Sequence, residues 1–211
     1  MDGEDWNFGG VNMDGSMQLE EFCAGYAKKL SNVLGSSDWS SVAQLGHEMR
    51  ECWLMGRQVF FCGNGGSAGN AIHLANDFLY GIAKHTGAGL KAQALSANPA
   101  VMTCLANDVG YDYMYSEQLA VLAESGDLLV VLSGSGNSPN ILRVLEQASS
   151  MRVKSCAILG YTGGQCKSLA NFSIHFPVDD MQIAEDMQLV VGHMLMKWLY
   201  QNQPQVQGPL S

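Results

Sequence analysis

From residue 57 onward the sequence predicts an α/β fold: a central, mostly parallel five-stranded sheet between two layers of helices. Two observations carry that expectation. Short β-rich apolar runs alternate with longer segments of helical spacing, and strands separated by helices pair in parallel under helices on both faces. Two of the apolar runs also end in glycine- and serine-rich loops that open directly into helices, where sheets of this kind hold ligands.

The elements follow in order. Residues 1–16, MDGEDWNFGGVNMDGS, are rich in Gly, Asp and Asn and read as a tail or arm, with Trp6 and Phe8 able to pin it to a neighbour. Amphipathic helices are expected at 17–35 and 39–55, the first with Phe22, Tyr26, Leu30 and Leu34 at helical spacing. Strands are expected at 57–62, 90–95, 127–132, 154–159 and 172–176, and helices at 67–83, 99–107, 112–123, 138–151 and 181–201. No internal repeat and no second domain interrupts the pattern, so 17–201 reads as a single domain. The polar, proline-containing residues 202–211 read as a fraying C-terminal tail.

Composition narrows the function. The chain has 211 residues, enough for one α/β domain with its own core. Hydrophobic residues make up 47% and charged residues only 15%, which predicts surface buried in a homo-oligomer. The net charge of −9 excludes non-specific nucleic-acid binding and disfavours anionic membranes, because both need clustered Lys and Arg. Cys23, Cys52, Cys62, Cys104, Cys156 and Cys166 form no CxxC pair and read as reduced, buried thiols of a cytoplasmic protein. No apolar run is long enough to span a membrane, and the N-terminus lacks a signal-peptide pattern.

The chemistry concentrates at the two loops, GNGGS at 63–67 and SGSGNS at 133–138. Glycines let a backbone approach an anion, and a helix N-terminus offers free N–H groups and a positive dipole end. Ser67, Ser133, Ser135 and Ser138 add hydroxyls. Neither loop contains Lys or Arg, so a phosphoryl group would be held by neutral donors. The plain alternative for either loop alone is a glycine turn with a serine N-cap; two such loops at strand ends favour the phosphate reading. The dinucleotide fingerprint and the P-loop are both absent, so no nucleotide cofactor is expected.

These motifs resemble the SIS-domain sugar-phosphate isomerases and, more narrowly, the phosphoheptose isomerase family. The resemblance covers roughly residues 17–201. It rests on GNGGS followed by AxHxAxD at 63–77, LANDVG at 105–110, SGSGNSPNIL at 133–142, LGYTGG at 159–164, and a last helix carrying His193. It implies the SIS fold, a three-layer α-β-α sandwich whose N-terminal helices pack in an oligomer. It also implies a homotetramer with sites at subunit interfaces. By the same resemblance Asn64, Gly65, Gly66, Ser67, Asn107, Asp108, Ser133, Gly134, Ser135, Ser138 and Glu185 contact substrate. His73 becomes a metal ligand, and His193 a metal ligand and acid/base. Four positions depart from the family pattern. Asp77 stands where the family has its catalytic Glu, Glu185 where it has Gln, Gly134 where it has Thr, and Gln182 where it has Asp.

Aldose–ketose isomerisation moves a proton between C1 and C2 through an enediol. It needs a base at carbon, an acid/base at oxygen and stabilisation of the developing oxyanion. His73 and Asp77, at i and i+4, share a helix face, and Glu185 and His193 lie within about 80° of each other around the last helix. Together His73, Asp77, Glu185 and His193 offer two imidazoles and two carboxylates, a ligand set that suits Zn²⁺ or a similar divalent ion. The expected reaction converts sedoheptulose 7-phosphate to D-glycero-D-manno-heptose 7-phosphate for heptose biosynthesis, with Asp77 and His193 catalytic. The rival readings are a non-catalytic SIS protein that binds a protein partner or senses a sugar phosphate, and an isomerase of another sugar phosphate.

Overall fold

The computed structural model of the chain describes residues 18–204. The expected arm at 1–16 and residues 205–211 of the expected tail lie outside the described residues. The chain divides into two units, 1–37 and 38–211. The described part of the first is helix α1, Leu19–Ser36, with Glu20 and Glu21 in its first turn where the helix dipole favours acids.

The second unit holds the sheet. Its elements run α2 (Ser40–Leu54), β1 (Gln58–Gly63), α3 (Gly65–Asn76), a π turn (Asp77–Gly81), α4 (Ala83–Thr86), β2 (Lys91–Ala94) and α5 (Pro99–Asp108). A 3₁₀ turn (Tyr111–Tyr113), α6 (Ser116–Leu122), β3 (Leu128–Ser133), α7 (Pro139–Met151), β4 (Lys154–Leu159), α8 (Cys166–Leu169), β5 (Phe172–His175) and α9 (Met181–Gln201) complete it. The five strands take the order β2-β1-β3-β4-β5, and every pairing is parallel, rather than mostly parallel as expected.

Buried apolar side chains explain the layers. All six residues of β3, LLVVLS, are buried, as a central strand covered on both faces requires. On one face Phe60, Cys62, Leu129, Val131, Ala157 and Leu159 meet Ile141, Val144 and Leu145 of α7 and Leu119 of α6. Helices α2 and α3 pack on the sheet, with α9 against both. Phe61 of β1 stacks on Phe78 of the π turn, rings 4° from parallel and 5.6 Å apart. Among the described residues no helix is long and apolar enough to cross a membrane.

Three local expectations need revision. The helix expected at 67–83 starts earlier, at Gly65, and is broken by the π turn beginning at Asp77, where the Ile82 N–H reaches back five residues to the Asp77 carbonyl. The start of the C-terminal tail does not fray: Arg50 donates to the Asn202 carbonyl at 2.9 Å, and Pro204 is buried. Of the six thiols, Cys23 and Cys104 are exposed, and only Cys52, Cys62, Cys156 and Cys166 are buried.

The strand order decides where a ligand belongs. Chain progress across the sheet reverses between β1 and β3, and the crevice beyond the carboxyl ends of the strands at such a reversal is the binding place of open parallel sheets. The two glycine-rich loops follow these two strands.

Candidate active site

The first loop is tight because it must be. A Cβ on Gly63 would come within 2.8 Å of the Leu132 carbonyl and of Ser67, and Gly65 has a φ of +53°. Asn64, between them, faces sideways. Its Nδ2 donates to Asn140 Oδ1 at 2.9 Å and its Oδ1 accepts from Asn140 Nδ2 at 2.8 Å. The Tyr111 hydroxyl adds a third bond to Asn64 Oδ1 at 3.1 Å. Asn140, fully buried in the first turn of α7, thereby ties the first loop to the helix that follows the second.

Helix α3 then carries His73, with Asp77 one turn on, and α9 brings His193 across to them. His73 Nε2 and His193 Nε2 are 2.9 Å apart, so one donates to the other. Asp77 Oδ2 lies 3.3 Å from the first and 3.6 Å from the second. The two imidazoles are half-exposed and the carboxylate is mostly buried, so the cluster opens on one side to solvent. His73, Asp77 and His193 each turn one ligand atom to a common point, all within 4.8 Å of one another. The donor set, two imidazole nitrogens and a carboxylate oxygen, fits a divalent ion such as Zn²⁺.

Glu185, expected beside them, is held elsewhere. Its carboxylate lies over Gly66 and accepts from the Ser67 backbone N–H and hydroxyl. Burial pushes the Glu185 carboxyl above its usual range, the two Ser67 bonds oppose this, and the charge of Asp186 adds to it. Gln188 Nε2 donates to Ser67 Oγ at 3.0 Å, and Asn70 Nδ2 donates to Gln188 Oε1 at 2.9 Å and to the Glu185 carbonyl at 3.1 Å.

In the second loop Ser133 Oγ accepts from the Gly136 N–H at 3.0 Å, and Ser135 Oγ from the Asn137 N–H at 3.4 Å. Ser138 is the N-cap of α7 but makes no side-chain cap, leaving its hydroxyl for another acceptor. Gly134 sits under the Met181 thioether, which a Cβ at 134 would strike. The LGYTGG segment and the start of α8 buttress the loop: Gly164 packs on Gly136, and the Cys166 N–H donates to the Gly136 carbonyl at 3.0 Å. Asn107 and Asp108 end α5, where Asn107 Nδ2 donates to Asp108 Oδ1 at 2.7 Å and that bond lowers the Asp108 pKa. Both are exposed, and among the described residues neither bonds to the loops or to the His–Asp–His cluster.

Asn140, Tyr111, Gln188 and Met181 were not singled out from the sequence. Asn140 lies inside the SGSGNSPNIL motif and Tyr111 directly follows LANDVG, so position alone offered a signal for these two. Gln188 and Met181 offered none beyond membership of the last helix.

Known proteins resemble the chain in sequence and in fold. The SIS domain family model matches residues 21–160. A phosphoheptose isomerase of Akkermansia muciniphila is 41% identical over 140 residues, 66% of this chain and 74% of that protein. One of Nitratidesulfovibrio vulgaris is 31% identical over 175 residues, 79% of this chain and 84% of that protein. Among solved structures, a phosphoheptose isomerase from Francisella tularensis superposes with a TM-score of 0.78 at 25% identity, covering 88% of this chain and all of that one. One from Neisseria gonorrhoeae, at 24% identity and a TM-score of 0.79 over 86% of this chain and 98% of that one, shares the fold. The chain belongs to the SIS-domain family and, within it, to the phosphoheptose isomerases.

Proposed function

We propose that the chain isomerises a phosphorylated ketose, sedoheptulose 7-phosphate, to D-glycero-D-manno-heptose 7-phosphate through an enediol, as a step of heptose biosynthesis. The observation that carries this is the convergence of His73, Asp77 and His193 on one point, from two helices, at the open side of a sheet whose neighbouring loops offer neutral phosphate donors. A carboxylate with little exposure suits removal of the carbon-bound proton, and Asp77 takes that role. His193 exchanges protons with the sugar oxygens. The second loop, through Ser133, Ser135 and Ser138, holds the phosphoryl group.

His73, Asp77 and His193 would hold Zn²⁺ or a similar divalent ion, which when bound polarises a carbonyl. Glu185 has its own partners on α3, so the ligand set proposed here is three residues rather than four. A pure sugar-phosphate sensor needs the loops but has no use for this cluster, which favours the enzyme.

The exposed apolar side chains Ile72, Leu79, Tyr80 and Met194 lie on the two segments that carry the cluster. Burying them between subunits of a homotetramer would complete the site's walls and account for the low charged fraction; such an enzyme would work in the cytoplasm. The test is turnover of sedoheptulose 7-phosphate with and without a chelator, beside Asp77→Asn and His193→Ala. Turnover abolished by either substitution supports the reading. Turnover absent from the wild-type chain, in the presence of Zn²⁺, overturns it.

A further inference from the structure

Asn64 stands where a helix is ordinarily capped, and it does not cap. An asparagine at the N-cap usually turns its side-chain oxygen onto the N–H groups of the first turn. The Asn64 side chain makes no such bond at the start of α3. It turns instead to two residues from other segments. Asn140 accepts from its Nδ2 and returns a bond to its Oδ1, at 2.9 and 2.8 Å. The Tyr111 hydroxyl donates to the same Oδ1 at 3.1 Å.

A primary amide has two acceptor lone pairs and two N–H donors. Both lone pairs of Asn64 Oδ1 are therefore filled, and one N–H is committed to Asn140. The second N–H has no partner among the described residues. Turning the amide over would set donor against donor and acceptor against acceptor at Asn140. The side chain is thus reduced to a group that can only donate, in a fixed orientation.

The two partners are themselves anchored. Asn140 is fully buried in the first turn of α7. Tyr111 opens the segment YDYMY, whose alternate tyrosines each meet the first loop or α7. The buried Tyr115 hydroxyl donates to the carbonyl of Gly63, the neighbour of Asn64, and the Tyr113 ring lies 4.2 Å under the Arg143 guanidinium.

We propose that Tyr111 and Asn140 are positioning residues for the isomerisation: they hold the Asn64 amide so that its free N–H is a fixed donor to an oxygen of the bound sugar phosphate. This rests on the proposed sugar-phosphate reading and adds to it two residues that act through a third. A donor already in place needs no reorganisation when the oxygen it faces gains charge. The forgone helix cap is the local concession to that arrangement.

The experiment is a double-mutant cycle on the full chain, in which both turnover and calorimetric binding of sedoheptulose 7-phosphate are measured on every protein. Tyr111→Phe removes one hydroxyl from a half-exposed ring. It should lower kcat/KM about fivefold, the worth of one neutral hydrogen bond. Asn140→Ala should lower it further; Tyr111→Phe keeps the test decisive should the buried substitution fail to fold. Asn64→Ala alone should lower kcat/KM by about tenfold or more. Adding Tyr111→Phe to Asn64→Ala should then change it by less than about twofold, because the group it acts through is gone. Tyr113→Phe is the control: it keeps the ring beneath Arg143 and should stay within about twofold of wild type. An equal loss from Tyr111→Phe with and without Asn64, no loss from Tyr111→Phe, or the same loss from Tyr113→Phe would each overturn the proposal. Binding without turnover would remove the isomerase reading, and the same cycle is then judged by the dissociation constants. Neither binding nor turnover by the wild-type chain, with Zn²⁺ present, would overturn both.

Discussion

Leu74 lies over Gly192 so closely that a Cβ on the glycine would run into its isobutyl group, with Cγ only 3.0 Å away. This is the crossing of α3 and α9. Each residue is followed or preceded in the chain by a histidine of the cluster: His73 stands next to Leu74 and His193 next to Gly192. The absence of a side chain at 192 thus sets the approach that brings the two Nε2 atoms to 2.9 Å.

Gly192→Ala should therefore damage the site beyond its effect on the fold. Overpacking at such a contact costs about 1–3 kcal/mol, read as a lowered urea midpoint. Turnover should fall by far more than the fraction unfolded explains, because a displacement of about 1 Å at reacting groups can cost about a hundredfold. Leu74→Ala in the same chain should recover part of both. A Gly192→Ala protein with full activity would show that the crossing does not set the cluster.

The cluster predicts a metal-dependent melting temperature. A ligand at 100 times its dissociation constant adds about 2.7 kcal/mol to the folded state. Zn²⁺ should raise the wild-type melting temperature by several degrees, and a chelator should reverse the rise. His193→Ala and His73→Ala should each abolish most of the shift. Glu185→Gln should retain it, since Glu185 bonds to Ser67 and stands outside the three-residue cluster. Scanning calorimetry on the four proteins, with and without Zn²⁺, separates a three-ligand site from a four-ligand one.

Much of this was legible in the sequence where a periodic pattern repeats over many residues. The five strands fall within a residue or two of expectation because continuous apolar runs such as LLVVL have no other stable place than the centre of a sheet. His73 and Asp77 were readable because i and i+4 share a helix face, even though the π turn starts at Asp77 itself. Glu185 was not. Its spacing from His193 along α9 is right for a shared face, but its partners are on another helix, and only the fold shows Ser67 and Gly66 under its carboxylate. Gln188 escaped for the same reason: its value lies in a bond to a residue 121 positions away.

Thiol reactivity should follow burial. Burial holds the Cys52 and Cys166 thiols up at about 11, with neighbouring charges adding at Cys52, and pushes Cys62 and Cys156 higher still. Cys104 is exposed, but its bond to Asp108 raises its pKa. A disulfide reagent at neutral pH should label Cys23 and Cys104 in the native protein, Cys104 accelerating when Asp108→Asn removes the charge. The four buried thiols should react only on unfolding. Mass spectrometry of the labelled protein counts them.

Glu185 gives stability a pH dependence of definite sign. Its folded pKa is raised, chiefly by burial, so between the unfolded and folded values the folded protein binds more protons than the unfolded one. Stability then falls as pH rises through that window. The window opens at the ordinary value of 4.5 and extends upward. Glu185→Gln has no such proton to lose, so the variant should gain stability relative to wild type as pH rises from about 4 towards 7. Urea midpoints of both proteins across that range measure the difference; a gap that stays constant with pH would assign the effect to something other than this carboxyl.

Gly134 and Met181 form a second coupled pair, this time at the loop assigned to phosphate. A Cβ at 134 would strike the Met181 sulfur and come within 3.1 Å of its Cε. The thioether thus fills the room that a larger residue at 134 would need. Gly134→Thr should push the loop or the methionine aside. The phosphoryl group is bound alike in ground and transition states, so the damage should appear in KM, by about tenfold, with kcat little changed. Met181→Ala added to Gly134→Thr vacates the space and should return KM to within a few-fold of wild type. Met181→Ala alone should lower the melting temperature through its lost contacts while leaving KM nearly unaltered. A Gly134→Thr protein that loses kcat at constant KM would instead place this loop beside the reacting carbons, and the phosphate elsewhere.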